Sequence, residues 1–230
     1  MNNLENHLGS YLVKAHKIIA KLKMDDLTYT HLSVRLERRE EFLLSPFGIQ
    51  FADVKLENLL HFNLNGEIKS EGKKFNKTGF SIHSSIYKAR NDVNAVIHLH
   101  TKETIAVSAT KIGFLPVSQH ALHFYESVSF HSYDSLILNP VEEEEALIKD
   151  LSQNNVMFLR NHGFITTGKT IWEALFYAYH LQKACEVQVL CGLNQESLIM
   201  PLPEVCRKAK KDLLSFEKDL GRRDFDSFNF

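Results

Sequence analysis

A chain of 230 residues, 44% hydrophobic and 24% charged, is long enough to bury a sizeable core as one domain and has the make-up of an ordinary globular protein. Its formal net charge of -1 supplies no field that would draw nucleic acid or an anionic membrane, so neither is expected as a partner. No apolar run reaches bilayer length and the N-terminus lacks an apolar secretory core. The three cysteines, Cys185, Cys191 and Cys206, match no zinc or redox spacing, which together with the rest points to a cytoplasmic protein.

Residues 3–23 place Leu4, Leu8, Leu12, Ile19 and Leu22 at helical spacing with lysines between them, which predicts an amphipathic helix. Strands follow near 31–36 and 41–45, then a short helix near 53–60. The stretch 61–69 reads as a hairpin, because Asn65-Gly66 suits a type I′ turn. A helix over 79–90 leads into a buried strand at 94–100 and a further helix over 101–111. The run Glu142 to Glu145 opens another helix, where acidic side chains offset the helix dipole. Strands near 156–160 and 163–167 flank His162-Gly163, and a long apolar helix covers 170–191. After Pro201-Leu-Pro203 the composition turns polar, so a single domain over 1–230 is expected to end in a polar tail from about 204. Helices around a β-rich centre make this an α/β protein.

The chemistry is concentrated in histidine. Asn94-Ala-Val-Ile-His-Leu-His100 closes an apolar strand with two imidazoles one residue apart. Side chains alternate across a strand, so His98 and His100 share a face while Leu99 points away. A third imidazole, His162, lies in the turn after Val156-Met-Phe-Leu. Three histidines leave a zinc ion one open position, the arrangement of a catalytic site. The chain holds twelve histidines, so the His-x-His pair by itself is also compatible with ordinary hydrogen-bonded residues.

Five segments, taken in order, carry a resemblance. They are Thr30-His-Leu-Ser-Val-Arg35, Leu43-Leu-Ser-Pro-Phe-Gly48, His98-Leu-His100, Leu115-Pro-Val-Ser-Gln-His120 and Leu159-Arg-Asn-His-Gly163. Together they resemble the class II aldolase/adducin family, over nearly the whole chain to about residue 195. The resemblance implies a three-layer α/β/α sandwich around a mostly antiparallel nine-stranded sheet. It implies that His98, His100 and His162 hold one zinc ion per chain. It implies a lyase of the aldolase kind, in which the metal acts as a Lewis acid on a small hydroxy-carbonyl or sugar-derived substrate and stabilises an enediolate. It also implies a homotetramer of C4 symmetry with sites at subunit interfaces.

The match is incomplete where protons must move. The aldolases carry a Ser-Ser-Glu segment whose Glu is the general acid/base; the matching stretch here is Asn76-Lys-Thr-Gly79, and Gly79 cannot carry a proton. Lys77 and Thr78 stand at the phosphate-binding serines, and His31 at an Asn of the glycine-rich loop. With Ser45 and Gly48 of the second phosphate-side loop, these are the candidate substrate-binding residues. No Tyr follows Tyr179 to act as the C-terminal proton donor of aldolase relatives. His120, His123 and Tyr125 are the remaining candidates for that role, and equally for interface residues. Glu103, one helical turn past His100, is placed to orient a ligand imidazole, or simply to sit on a surface helix. The pattern lies nearer the adducin-head-like branch, which leaves two functions open: an aldolase-like lyase, or a non-catalytic, metal-binding oligomeric module.

Overall fold

Alternation along the strands decides which layer each side chain joins. The computed structural model describes residues 3–36, 40–69, 74–133, 140–192 and 197–230. Its strands are β1 (His31–Arg35), β2 (Glu41–Leu44), β3 (Leu60–Asn63), β4 (Ala95–Leu99), β5 (Val128–His131), β6 (Val156–Leu159) and β7 (Gly163–Gly168). They form one sheet in the order β3-β2-β1-β4-β7-β6-β5, antiparallel throughout except for the parallel pair β5 and β6. The helices are α1 (Asn3–Lys21), α2 (Lys77–Ala89), α3 (Lys102–Ser108), α4 (Gln119–Leu122), α5 (Pro140–Leu151), α6 (Ile171–Cys191), α7 (Pro203–Ser215) and α8 (Arg222–Ser227).

On one face, Leu32, Val34, Ala95, Ile97, Leu99 and Phe164 of the sheet pack with Leu12 and Ile19 of α1, Val107 of α3 and Leu181 of α6. On the other, Leu44, Val96, Met157 and Ile165 meet Ile82 and Ile86 of α2 and Leu147 and Leu151 of α5. This is the three-layer α/β/α sandwich, with the sheet mostly antiparallel as expected. Both faces of the central strands are covered, which is why all five residues of β1 and of β4 are buried.

The strand count differs from expectation. The sheet holds seven strands among the described residues, not nine. The return arm of the 61–69 hairpin closes on β3 through a single bridge, Phe62 to Ile68, and so adds no strand. The turn itself is not type I′. Of Asn65 and Gly66 only the glycine has positive φ, at 94°, while the Asn63 side chain accepts from the amides of Asn65 and Glu67. A left-handed glycine after a turn is the three-residue hairpin pattern.

Other boundaries moved for local reasons. The helix expected near 53–60 is two single 3₁₀ turns, Phe51–Asp53 and Leu56–Asn58. α2 starts two residues early because the Asn76 side chain caps it, accepting from the Gly79 amide. β5 and the four-residue α4 are too short to carry a periodic signal. The segment from 204 onward is polar but helical: α7 is largely exposed, whereas Phe225 of α8 is buried against Tyr11 and Trp172.

Candidate metal centre

The middle of the sheet builds the site. β4 lies between β1 and β7, with His98 opposite His31 on one side and Ile165 on the other. His100 follows directly after β4. His162 occupies the tight connection between β6 and β7, where Asn161 takes φ +60° and the His162 amide donates to the Leu159 carbonyl. Asn is one of the few residues that enters the left-handed region readily. The next residue must be glycine, because a Cβ on Gly163 would lie 2.3 Å from the Leu99 carbonyl oxygen. That close approach of β7 to the end of β4 brings His162 over the His98–His100 pair.

His98, His100 and His162 each offer one ring nitrogen, all within 4.8 Å of one another. Two of the rings are oriented from behind. His98 Nδ1 lies 2.9 Å from the Phe164 carbonyl and His100 Nδ1 lies 3.1 Å from a carboxylate oxygen of Asp26. Both partners only accept, so both Nδ1 atoms carry a proton and each ring turns its Nε2 toward the cluster. Those two nitrogens face each other at 2.8 Å. Lone pairs at that separation repel unless a cation lies between them. A divalent ion fits this demand and neutral imidazole is a preferred ligand for zinc-like ions. Protonation of His98 or of His162 is unfavourable. Burial, then the neighbouring imidazoles of His31, His100 and His162, holds His98 well below the ordinary imidazole range, and burial, then His100, holds His162 at about 4.

A second chain of polar groups runs from this cluster into the layer under α2. His31 Nδ1 is 2.7 Å from His83 Nε2, His83 Nδ1 is 2.5 Å from Ser33 Oγ, and Ser33 Oγ is 2.6 Å from the Tyr87 hydroxyl. Arg35 donates to the Tyr87 carbonyl and lies over its ring. The His31 ring stands 4.9 Å from that of His98, and burial, then the neighbouring His100 and His162, holds it down at about 3. Gly79 lies against this ring: a Cβ there would be 2.8 Å from His31 Cδ2 and 2.9 Å from Nε2. His31 therefore takes the space that a side chain on residue 79 would need.

The remaining candidates scatter. Thr78 lines a narrow cleft with His162, Ile82 and Arg160, and Lys77 beside it is exposed at the start of α2. The Ser45 hydroxyl is buried between His16 Nε2 and the Leu32 amide, which leaves it turned inward. Gly48 takes φ +83° in an exposed loop. His120 and His123 group with His180 of α6, with His120 Nδ1 3.0 Å from His180 Nδ1, and Tyr125 lines a separate hollow with Phe114 and Phe130. None of these three is brought to the cluster within one chain. Glu103 accepts from Gln182 and does not support a ligand imidazole; Asp26, from the loop between α1 and β1, has that place. A cavity of about 410 Å³ opens beside His100, lined also by Asp26, Glu103, Tyr179 and Lys183.

Sequence reading missed Asp26, His83, Ser33 and Tyr87. Asp26 left no signal, since its partner is distant in the chain. The others did: Gly79, His83 and Tyr87 recur every fourth residue on one face of α2, and His31 and Ser33 share one face of β1.

Comparison with known proteins places these features in context. The sequence profile of the Class II Aldolase and Adducin N-terminal domain matches residues 10–189. A Pseudomonas aeruginosa protein named for the class 2 aldolases is 36% identical over 189 residues, covering 82% of this chain and 73% of that one. Rat alpha-adducin is 40% identical over 191 residues, or 80% of this chain, which spans only 26% of the adducin. Among solved structures, an aldolase II superfamily protein from Pseudomonas syringae superposes with a TM-score of 0.91 at 34% identity, covering 99% of this chain and 92% of that one. The L-fuculose 1-phosphate aldolase of Glaciozyma antarctica gives 0.80 at 29% identity over 90% and 82%.

Proposed function

Because the chain belongs to the class II aldolase/adducin family, we propose that it is a metal-dependent lyase of the aldolase kind, acting on a small hydroxy-carbonyl or sugar-derived substrate. The observation that carries this is the pair of Nε2 atoms facing each other at 2.8 Å, with His162 as third donor. One zinc ion per chain, held by His98, His100 and His162, would supply Lewis acidity to stabilise an enediolate when the bond next to a carbonyl breaks. The protein's own share is orientation. The Phe164 carbonyl and Asp26 fix two rings in the tautomer that turns Nε2 inward, and the cavity beside His100 provides a way in. Gly79 brings no carboxylate to the reacting atoms, so proton transfer is the weak step. The family also supports a homotetramer of C4 symmetry in the cytoplasm.

Metal analysis of the purified protein tests the first half, with about one divalent ion per chain expected and His100→Ala expected to hold none. Cleavage of fuculose 1-phosphate tests the second. Slow or undetectable turnover that chelators abolish is expected, since a positioned acid/base group contributes about 10²–10⁴-fold. A kcat near the usual range of about 1–10³ s⁻¹ would mean that another group moves the proton. The 40% identity to an adducin and the empty place at Gly79 favour a second reading, a non-catalytic oligomeric module that binds metal. Stoichiometric metal with no lyase activity on any hydroxy-carbonyl compound would select it.

A further inference from the structure

We propose that His131, oriented by Asp150, carries the proton at this centre, working from the cleft that ends on His162 and taking the part that Gly79 leaves unfilled. The inference rests on the reading of the protein as a lyase and deepens it.

Strand geometry sends His131 to the layer where the cleft lies. Phe130 stacks on Phe158 with ring centres 5.2 Å apart, in the layer of α1 and α6. His131, the next residue, therefore faces the other side, that of α2 and α5. The parallel pairing of β5 with β6 sets His131 beside Leu159, and the Arg160 amide donates to the His131 carbonyl. The end of β5 is thus tied to the turn that carries His162. On this face His131 and His162 line one cleft, with Thr78 and Ile82 of α2 and Glu143 and Leu147 of α5. Thr78 directly precedes Gly79, so the cleft reaches the start of α2 one residue from the position that lacks a carboxylate. It offers about 40 Å³, room for the reacting end of a small molecule and no more.

His131 has the chemistry for the task. Its side chain is 13% exposed, and Nδ1 lies 2.8 Å from a carboxylate oxygen of Asp150 in the last turn of α5. A carboxylate only accepts, so Nδ1 keeps a proton, and Nε2 is the edge that takes one up and gives it back. The charge of Asp150 steadies the imidazolium formed in between. In cleavage, Nε2 takes the proton of the hydroxyl on the carbon β to the carbonyl. The electron pair of that O–H bond forms the new C=O of the leaving aldehyde, and the bond between the α and β carbons breaks. Its electrons pass into the carbonyl of the fragment that remains. The imidazolium then returns the proton to the α carbon, which restores the ketone and the neutral ring. Tyr133, Glu143 and Arg160 share the cleft. The Arg160 guanidinium stays charged and is held by the Ser108 and Thr110 carbonyls, so it moves no proton.

Two measurements decide the matter. In the metal-free protein the ¹⁵N-correlated imidazole spectrum is expected to show His131 as the Nδ1–H tautomer, with Asp150→Asn losing that single form; His131 found as Nε2–H would overturn the proposal. With zinc-loaded protein in deuterium oxide, proton NMR follows exchange of the carbon-bound protons of dihydroxyacetone. His131→Asn keeps a donor for Asp150 and removes Nε2. Its kcat for exchange is expected to fall about a hundredfold or more, with KM and zinc content unchanged. Asp150→Asn is expected to lower kcat by less. Undiminished exchange in His131→Asn, or a loss confined to Glu143→Gln or Tyr133→Phe, would overturn the role of His131 alone. Failure of the unaltered protein, with zinc bound, to exchange any proton would overturn the lyase reading and the proposal with it.

Discussion

Asp26 and His16 show how much a single side chain can decide. Asp26 touches the histidine cluster at His100 Nδ1. Outer partners of this kind typically carry about 10–100-fold in metal affinity. Asp26→Ala is therefore expected to weaken zinc binding by that factor in a chelator competition, with the fold intact; an unchanged affinity would remove Asp26 from the site. His16 is fully buried between the Leu12 carbonyl and Ser45, and burial pulls it down to about 4. The unfolded chain takes up that proton near 6.5, so between about 4 and 6.5 it binds more protons than the folded one. The stability this residue contributes is complete above 6.5 and is lost as pH falls to 4, on the order of 3 kcal/mol in all. Denaturant titrations of metal-free protein across that window are expected to show a pH slope that drops by about one proton in His16→Gln.

At the scale of elements, legibility tracked the length and regularity of the pattern. The alternation in Asn94–His100 and the glycine after His162 announced the two halves of the histidine cluster, and the structure joins them because β7 pairs with β4. The fold class was readable for the same reason: long, strongly patterned helices and strands outvote their ends. The short elements were not. Four residues of α4, or of β5 in its parallel pairing with β6, give no period to read. The 61–69 turn went astray because Asn63 captures two amides and so decides the turn from outside the Asn-Gly pair. The C-terminal segment misled through composition: α7 is polar because it is exposed, while the following α8 docks through one aromatic residue. Phe225→Ala is expected to destabilise the protein by about 3–5 kcal/mol, the usual range for a buried Phe, seen as a fall in the urea midpoint. A change below about 1 kcal/mol would mean that α8 is dispensable to the fold.

For the whole molecule, the exposed apolar side chains are the outstanding feature. Ile199 is 98% exposed, Leu190 86% and Phe216 77%. Interface cores favour large apolar and aromatic residues. Light scattering at micromolar concentration is expected to give four times the 26.5 kDa of the chain; a monomeric mass would refute the tetramer. The order of the sheet has a kinetic consequence as well. His162 comes from a segment far along the chain from His98 and His100 and meets them only when β7 lies beside β4. Closing that long loop precedes the full ligand set, so the unfolded chain offers an ion no more than the His98–His100 pair. A metal held there would act as a latch more than as a seed: it would slow the escape from the native state and leave the speed of reaching it chiefly to the hydrophobic sheet.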